Sequence, residues 1–185
     1  MILGLCLSLG GFAATITEST TTTAHNVSGY YGQSFTTPGG GPWNNVTVNF
    51  SSFAGAPVAF GTLYLFTAAY SGTPSGLSGA SAFAASISIV SNQWTFLPSV
   101  SLASSTLYFS YSDALFGGSA LGAAGSNPYA GGVISYASSG ATAFRQSTDI
   151  DLSFNVSGTS SAVPEPATYA TFAAGMLLAG YLRKR

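Results

Sequence analysis

The sequence predicts an all-β body, an antiparallel β-sandwich of jelly-roll-like kind, followed by a short hydrophobic helix at the C-terminus. Three observations carry this. Apolar and polar residues alternate with period two in several short runs, dense Gly/Pro/Ser turns separate those runs, and no stretch of the body keeps a 3.6-residue period with caps. The clearest alternation is Asp149-Ile150-Asp151-Leu152-Ser153-Phe154-Asn155-Val156, which reads as a half-buried antiparallel strand. Val46–Phe50 repeats the pattern, and Leu63-Tyr64-Leu65-Phe66, apolar on both faces, suits a central strand.

Taken along the chain, the apolar run Ile2–Ala14 has the character of a secretory signal peptide over residues 1–14. Gly11 and Ala13 supply the small residues for cleavage after Ala13, although no Lys or Arg precedes the run. Residues 15–28 are rich in Ser and Thr and read as an edge strand or a solvated lead-in. The sandwich is expected over 29–158, with further strands at Gln33–Thr36, Ala84–Ile89, Gln93–Leu97, Leu107–Tyr111 and Val133–Ala137. Turn signals at 38–42, 71–74, 117–118, 125–128 and 138–140 separate them. Residues 159–163 form a flexible tether, and 164–185 a separate tail.

Composition narrows the function. Only 9 of 185 residues are charged, against about 25% in ordinary soluble domains, and 29 Ser with 19 Thr supply much of the polarity instead. Arg145 is the one basic residue before the C-terminal cluster, so no phosphate-tracking surface can be assembled and nucleic acid is not an expected partner. The single cysteine, Cys6, lies in the apolar N-terminal run, where Leu5 before it argues against lipidation. The single histidine, His25, lies in the lead-in. Catalytic Ser-His-Asp or Cys-His groupings and His/Cys zinc sites therefore have no material, and no phosphate loop or dinucleotide fingerprint is present. The body is expected to be non-enzymatic and to need no cofactor.

Two constellations remain. On a regular strand Asp149 and Asp151 would share the polar face, about 7 Å apart. There they would solvate the sheet, hold Ca²⁺ together with Asn155 or a loop carbonyl, or form a glycosidase pair. Solvation is the simplest of the three. Among the aromatics, Trp94 and Tyr111 alternate with other apolar residues as core residues do. Trp43 beside the Gly-rich loop and the Tyr30-Tyr31 pair are the better candidates for an exposed ring open to stacking against a sugar, while core or edge packing is the simpler reading for them too. Four N-x-Ser/Thr triplets, headed by Asn26, Asn45, Asn49 and Asn155, carry little weight in so hydroxyl-rich a chain.

The tail is the most specific segment. Val163-Pro164-Glu165-Pro166-Ala167-Thr168 leads into the apolar Thr168–Leu182 and ends in Arg183-Lys184-Arg185. A helix over that stretch reaches roughly 23 Å, short of the ~30 Å hydrocarbon core, so it is a marginal membrane anchor. The prolines keep the approach extended, and the basic end favours the cytoplasmic side. These residues resemble the PEP-CTERM sorting signal of Gram-negative bacteria, at Pro164, Glu165, Pro166, Thr168, Gly175, Gly180, Arg183, Lys184 and Arg185. The resemblance implies export, transient anchoring in the inner membrane, cutting near Pro-Glu-Pro by an integral-membrane exosortase, and delivery to the envelope or the exterior. Such proteins often occur in organisms that make exopolysaccharide.

The body also resembles a family. Residues 32–50 (GQSFTTPGGGPWNNVTVNF), 61–78 (GTLYLFTAAYSGTPSGLS) and 94–111 (WTFLPSVSLASSTLYFSY) are similar to the choice-of-anchor β-sandwich domains of the type labelled R. That likeness covers about 29–158 and implies a sandwich with no active site to carry over. The expectation is an exported surface or matrix protein, its hydroxyls open to glycosylation. The alternative is a module that binds exopolysaccharide, assisted or not by Ca²⁺.

Overall fold

The computed structural model describes residues 12–18, 23–25, 29–51, 61–87, 89–90, 93–115, 121–160 and 176. Among them, in chain order, the strands are β1 (Phe12–Glu18), β2 (Thr23–His25), β3 (Gly29–Thr36), β4 (Trp43–Ser51), β5 (Thr62–Phe66), β6 (Ala84–Ile87) and β7 (Ile89–Val90). They continue with β8 (Gln93–Phe96), β9 (Leu107–Ser112), β10 (Leu121–Ala123), β11 (Ile134–Ser138), β12 (Arg145–Ser147) and β13 (Phe154–Ser160). A five-stranded sheet runs β1-β13-β4-β8-β7 and a six-stranded sheet β12-β11-β3-β9-β5-β6, with β2 and β10 as a separate pair. Each of these strand pairs is antiparallel. The fold is all-β, as the alternation predicts.

The main core joins the two sheets. Val46, Val48, Phe50, Phe96, Phe154 and Val156 come from the five-stranded sheet, and Phe35, Leu63, Leu65, Tyr108 and Ile134 from the six-stranded one. A second cluster covers the outer face of the six-stranded sheet, built from Tyr64, Phe66, Tyr111, Ala137, Leu77 and Phe144. Leu77 sits on a 3-10 helix (Pro74–Gly79) capped by the Thr73 side chain, which accepts a hydrogen bond from the Gly76 N–H. The apolar reading of Leu63–Phe66 is thereby explained: Leu63 and Leu65 face the sandwich interior, while Tyr64 and Phe66 lie under the loops outside.

One irregularity shows how the sequence writes a kink. In β4 the inward residues Trp43 and Val46 are three positions apart, which a strict period of two forbids. Asn45 absorbs the extra residue at φ 51°, and the register with β13 shifts between Ser157 and Thr159. Asn tolerates this left-handed conformation better than most side chains. Opposite it, Gly158 leaves room for the indole: a Cβ there would lie 3.1 Å from Trp43 Cε3.

Several expected boundaries move. The last predicted strand begins at Phe154, not Asp149, because Asp151 turns inward into a polar network described below. β13 runs on through Ser160, so the first two residues of the expected tether, Thr159 and Ser160, are paired with β1 and β4. β1 begins at Phe12 and forms an edge strand, so cleavage after Ala13 would fall inside its pairing with β13. The predicted C-terminal helix and the residues Pro164, Glu165, Pro166, Thr168, Arg183, Lys184 and Arg185 lie outside the described residues. No helix among the described residues is long and apolar enough to cross a membrane.

Candidate functional site

The two carboxylates that alternation places side by side are separated by the fold. Asp149 is exposed and accepts from the Ser147 hydroxyl at 3.1 Å. Asp151 is 0% exposed. Its Oδ1 accepts from Gln33 Nε2 at 2.9 Å and its Oδ2 from the Tyr129 N–H at 2.8 Å. Gln33 in turn accepts from the Leu152 N–H at 3.1 Å, so one carboxylate and one amide lock β3 to the segment entering β13. Burial pushes the Asp151 carboxyl above its ordinary range, and the charge of Glu18 adds to this, while the bonds from Tyr129 and Gln33 pull it back. Asn155 is occupied elsewhere, its Nδ2 donating to Thr17 Oγ1 at 2.8 Å. The shared polar face proposed for calcium or glycosidase chemistry is not formed, and no group of three His, Cys, Asp or Glu side chains suited to a metal ion occurs among the described residues.

The candidate sugar-stacking rings take the simpler, packed placement. Trp43 is 0% exposed and belongs to the main core rather than to the Gly-rich loop, because the bulge turns it inward. Tyr31 is 3% exposed and faces the interior, whereas Tyr30 is half-buried against the outer cluster. Phe96 and Tyr111 are core, as alternation predicts. The imidazole of His25 and the indole of Trp94 are outside the described side chains.

A cleft of about 520 Å³ opens where β3 begins and the β11–β12 hairpin turns. Its described lining includes Gly29, Tyr31, Tyr136, Ser138, Gly140 and Arg145. Three of these form a row across neighbouring strands: Arg145 on β12 is the register partner of Tyr136 on β11, which is the partner of Tyr31 on β3. Directly opposed residues share a face, and strands lie about 4.8 Å apart, so the row spans roughly 10 Å. Exposure grades along it, from the buried Tyr31 through the half-buried Tyr136 to the exposed Arg145. Gly29 keeps the inner end open, since a Cβ there would lie 3.1 Å from Tyr31 Oη. Burial raises the Tyr31 hydroxyl above its ordinary pKa of 10.0, so it stays a neutral phenol at physiological pH.

The volume falls within the roughly 300–1,000 Å³ usual for small-ligand clefts. Two other depressions, of about 540 and 670 Å³, have no charged side chain among their described lining residues. A fourth, of about 240 Å³, includes Asp113, whose Oδ1 already accepts from the Thr62 N–H. The cleft residues Arg145 and Tyr136 escape sequence reasoning because their alignment with Tyr31 depends on the β3–β11 pairing, which joins positions about a hundred residues apart. The available signal is Arg145 itself, a lone cation in a nearly uncharged body. Compared with protein-family models and with curated proteins, the chain matches none.

Proposed function

We propose that this protein is exported, sorted by an exosortase through its C-terminal tail, and displayed at the cell surface or in the extracellular matrix. Its body acts there as a non-catalytic sandwich of jelly-roll-like kind. The observation that carries the sorting reading is the three-part order of the tail: Pro164-Glu165-Pro166, the apolar Thr168–Leu182, and the basic Arg183–Arg185. The geometry of the body suits such a display. β13 ends at Ser160, leaving only residues 161–163 before the Pro-Glu-Pro element, so the domain would stand close to the membrane until it is cut. Ser160 is paired with Trp43, which follows the Thr36 end of β3 after a short loop, whereas the cleft lies at the Gly29 end. The length of β3 separates them by roughly 20 Å or more, so the cleft would face outward from a tethered domain.

The mature chain is the test. Mass spectrometry of envelope and secreted fractions is expected to find a C-terminus near Pro164, and Glu165→Ala is expected to leave the tail attached. Recovery of wild-type protein with Arg185 intact would sink the sorting reading. The second reading, a carbohydrate-binding module for the cell's own exopolysaccharide, is favoured by the cleft, where two tyrosines and a guanidinium stand in one row.

A further inference from the structure

We infer that the cleft at the β11–β12 hairpin binds an acidic glycan, a polysaccharide bearing uronate carboxylates. Arg145 would pair with the carboxylate, and Tyr136 would stack on the neighbouring ring. The inference rests on the carbohydrate-binding reading and adds the ligand class. Four observations converge on it. The cleft, of about 520 Å³, has the half-buried Tyr136 in the middle of its row and the buried Tyr31 at its inner end. The exposed Arg145 stands at the outer end, and no carboxylate among the described residues pairs with it. No acidic side chain is among the described lining residues to repel an anion. Arg145 is also the body's single basic residue, so its attraction for an anion is not spread over a general basic surface.

The chemistry follows from the row. A guanidinium presents parallel N–H donors in a fixed fork that matches a carboxylate bidentately, a geometry that lysine lacks. One strand spacing away, the half-buried Tyr136 ring offers a flat apolar face of the kind that packs on the C–H face of a pyranose, and its hydroxyl can meet water or a sugar oxygen. A uronic acid carries a carboxylate and such a face within one ring. Neutral sugars would use only the rings, and anions without a ring only the arginine.

The test is calorimetric titration of the full chain at low salt with an oligogalacturonide, a neutral gluco-oligosaccharide of equal length, and polyglutamate as a ring-free polyanion. The wild-type protein is expected to bind the uronide at least tenfold more tightly than either comparator. Arg145→Gln is expected to reduce uronide affinity about tenfold, to the neutral level, and Arg145→Lys to restore only part of the loss. Tyr136→Ala is expected to weaken the uronide and the neutral sugar alike. Circular dichroism melting keeps these results interpretable, since Arg145 lies exposed on an edge strand and its replacement should leave the melting midpoint in place. Equal affinity for uronide and neutral sugar, or a preference that survives Arg145→Gln, would overturn the acidic-glycan inference alone. Equal affinity for polyglutamate would overturn the sugar component of the inference. Failure of the wild-type chain to bind either saccharide would remove the carbohydrate reading with it.

Discussion

Asp151 and Arg145 are two of the few charges in the body, and the fold treats them in opposite ways. Asp151 is sealed, every acceptor oxygen matched to a donor: Gln33 Nε2 on one side, the Tyr129 N–H on the other. Arg145 stands in the open at the lip of a cleft, with two tyrosines behind it in register. A buried charge with fixed partners ties distant segments together, and its removal is felt as stability. An exposed charge that no carboxylate among the described residues pairs with contributes little to folding and is open to a ligand. The same contrast separates Asp151 from Asp149, two residues away, which keeps only a hydroxyl contact at the surface.

The contrast breaks most visibly at Asp151. Asp151→Ala leaves one N–H of the Gln33 amide, whose Nε2 also donates to the Ser34 carbonyl, and the Tyr129 N–H without an acceptor, and is expected to cost about 3 kcal/mol, read as a lower denaturant midpoint. Asp151→Asn keeps the shape but places an NH₂ against one of two existing donors. Rotating the Gln33 amide to compensate would turn its NH₂ toward the Leu152 N–H, so the mismatch only moves. The expected loss at neutral pH is smaller, about 1–2 kcal/mol.

The pH dependence sharpens the same point. The Asp151 carboxyl is raised above the ordinary 3.8 by burial, so the folded chain holds this proton to higher pH than the unfolded chain does. Its titration therefore favours folding below 3.8 and ceases to do so as pH rises through the folded value. The stability difference between wild type and Asp151→Asn should shift in favour of wild type as pH falls through that window. A difference that stays flat from pH 7 to pH 3 would show that the folded carboxyl is not raised above its ordinary value. The smallest effects belong to the exposed charges. Asp149→Asn and Arg145→Gln are each expected to change stability by no more than about 0.5 kcal/mol in thermal melts, while Arg145→Gln alone changes glycan binding.

Much of the sandwich is legible from side-chain period. Val46–Phe50 and Phe154–Val156 alternate in the sequence and in the structure, and Leu63–Phe66 is apolar on both sides because both sides are covered. The same rule misleads at Asp149–Ser153, where the alternation is as regular as anywhere in the chain. Period two describes which residues can share a face; it carries no information about a Gln33 waiting 118 residues upstream. Trp43 is ambiguous in the sequence for a related reason. Its neighbours are turn-forming glycines, but the extra residue at Asn45 rotates the strand and sends the indole into the core. The short strands β10 and β12 carry no period of their own and exist through their partners.

Local pattern thus specified the antiparallel architecture, the scarcity of charge and the tail motif, because each depends on residues within a few positions of one another. Which aspartate is buried, which ring is exposed and where the lone arginine meets two tyrosines depended on strand pairing across the chain. Hydrogen-bond partners and cleft walls are made by register between segments far apart, and register is set by how the whole set of faces packs.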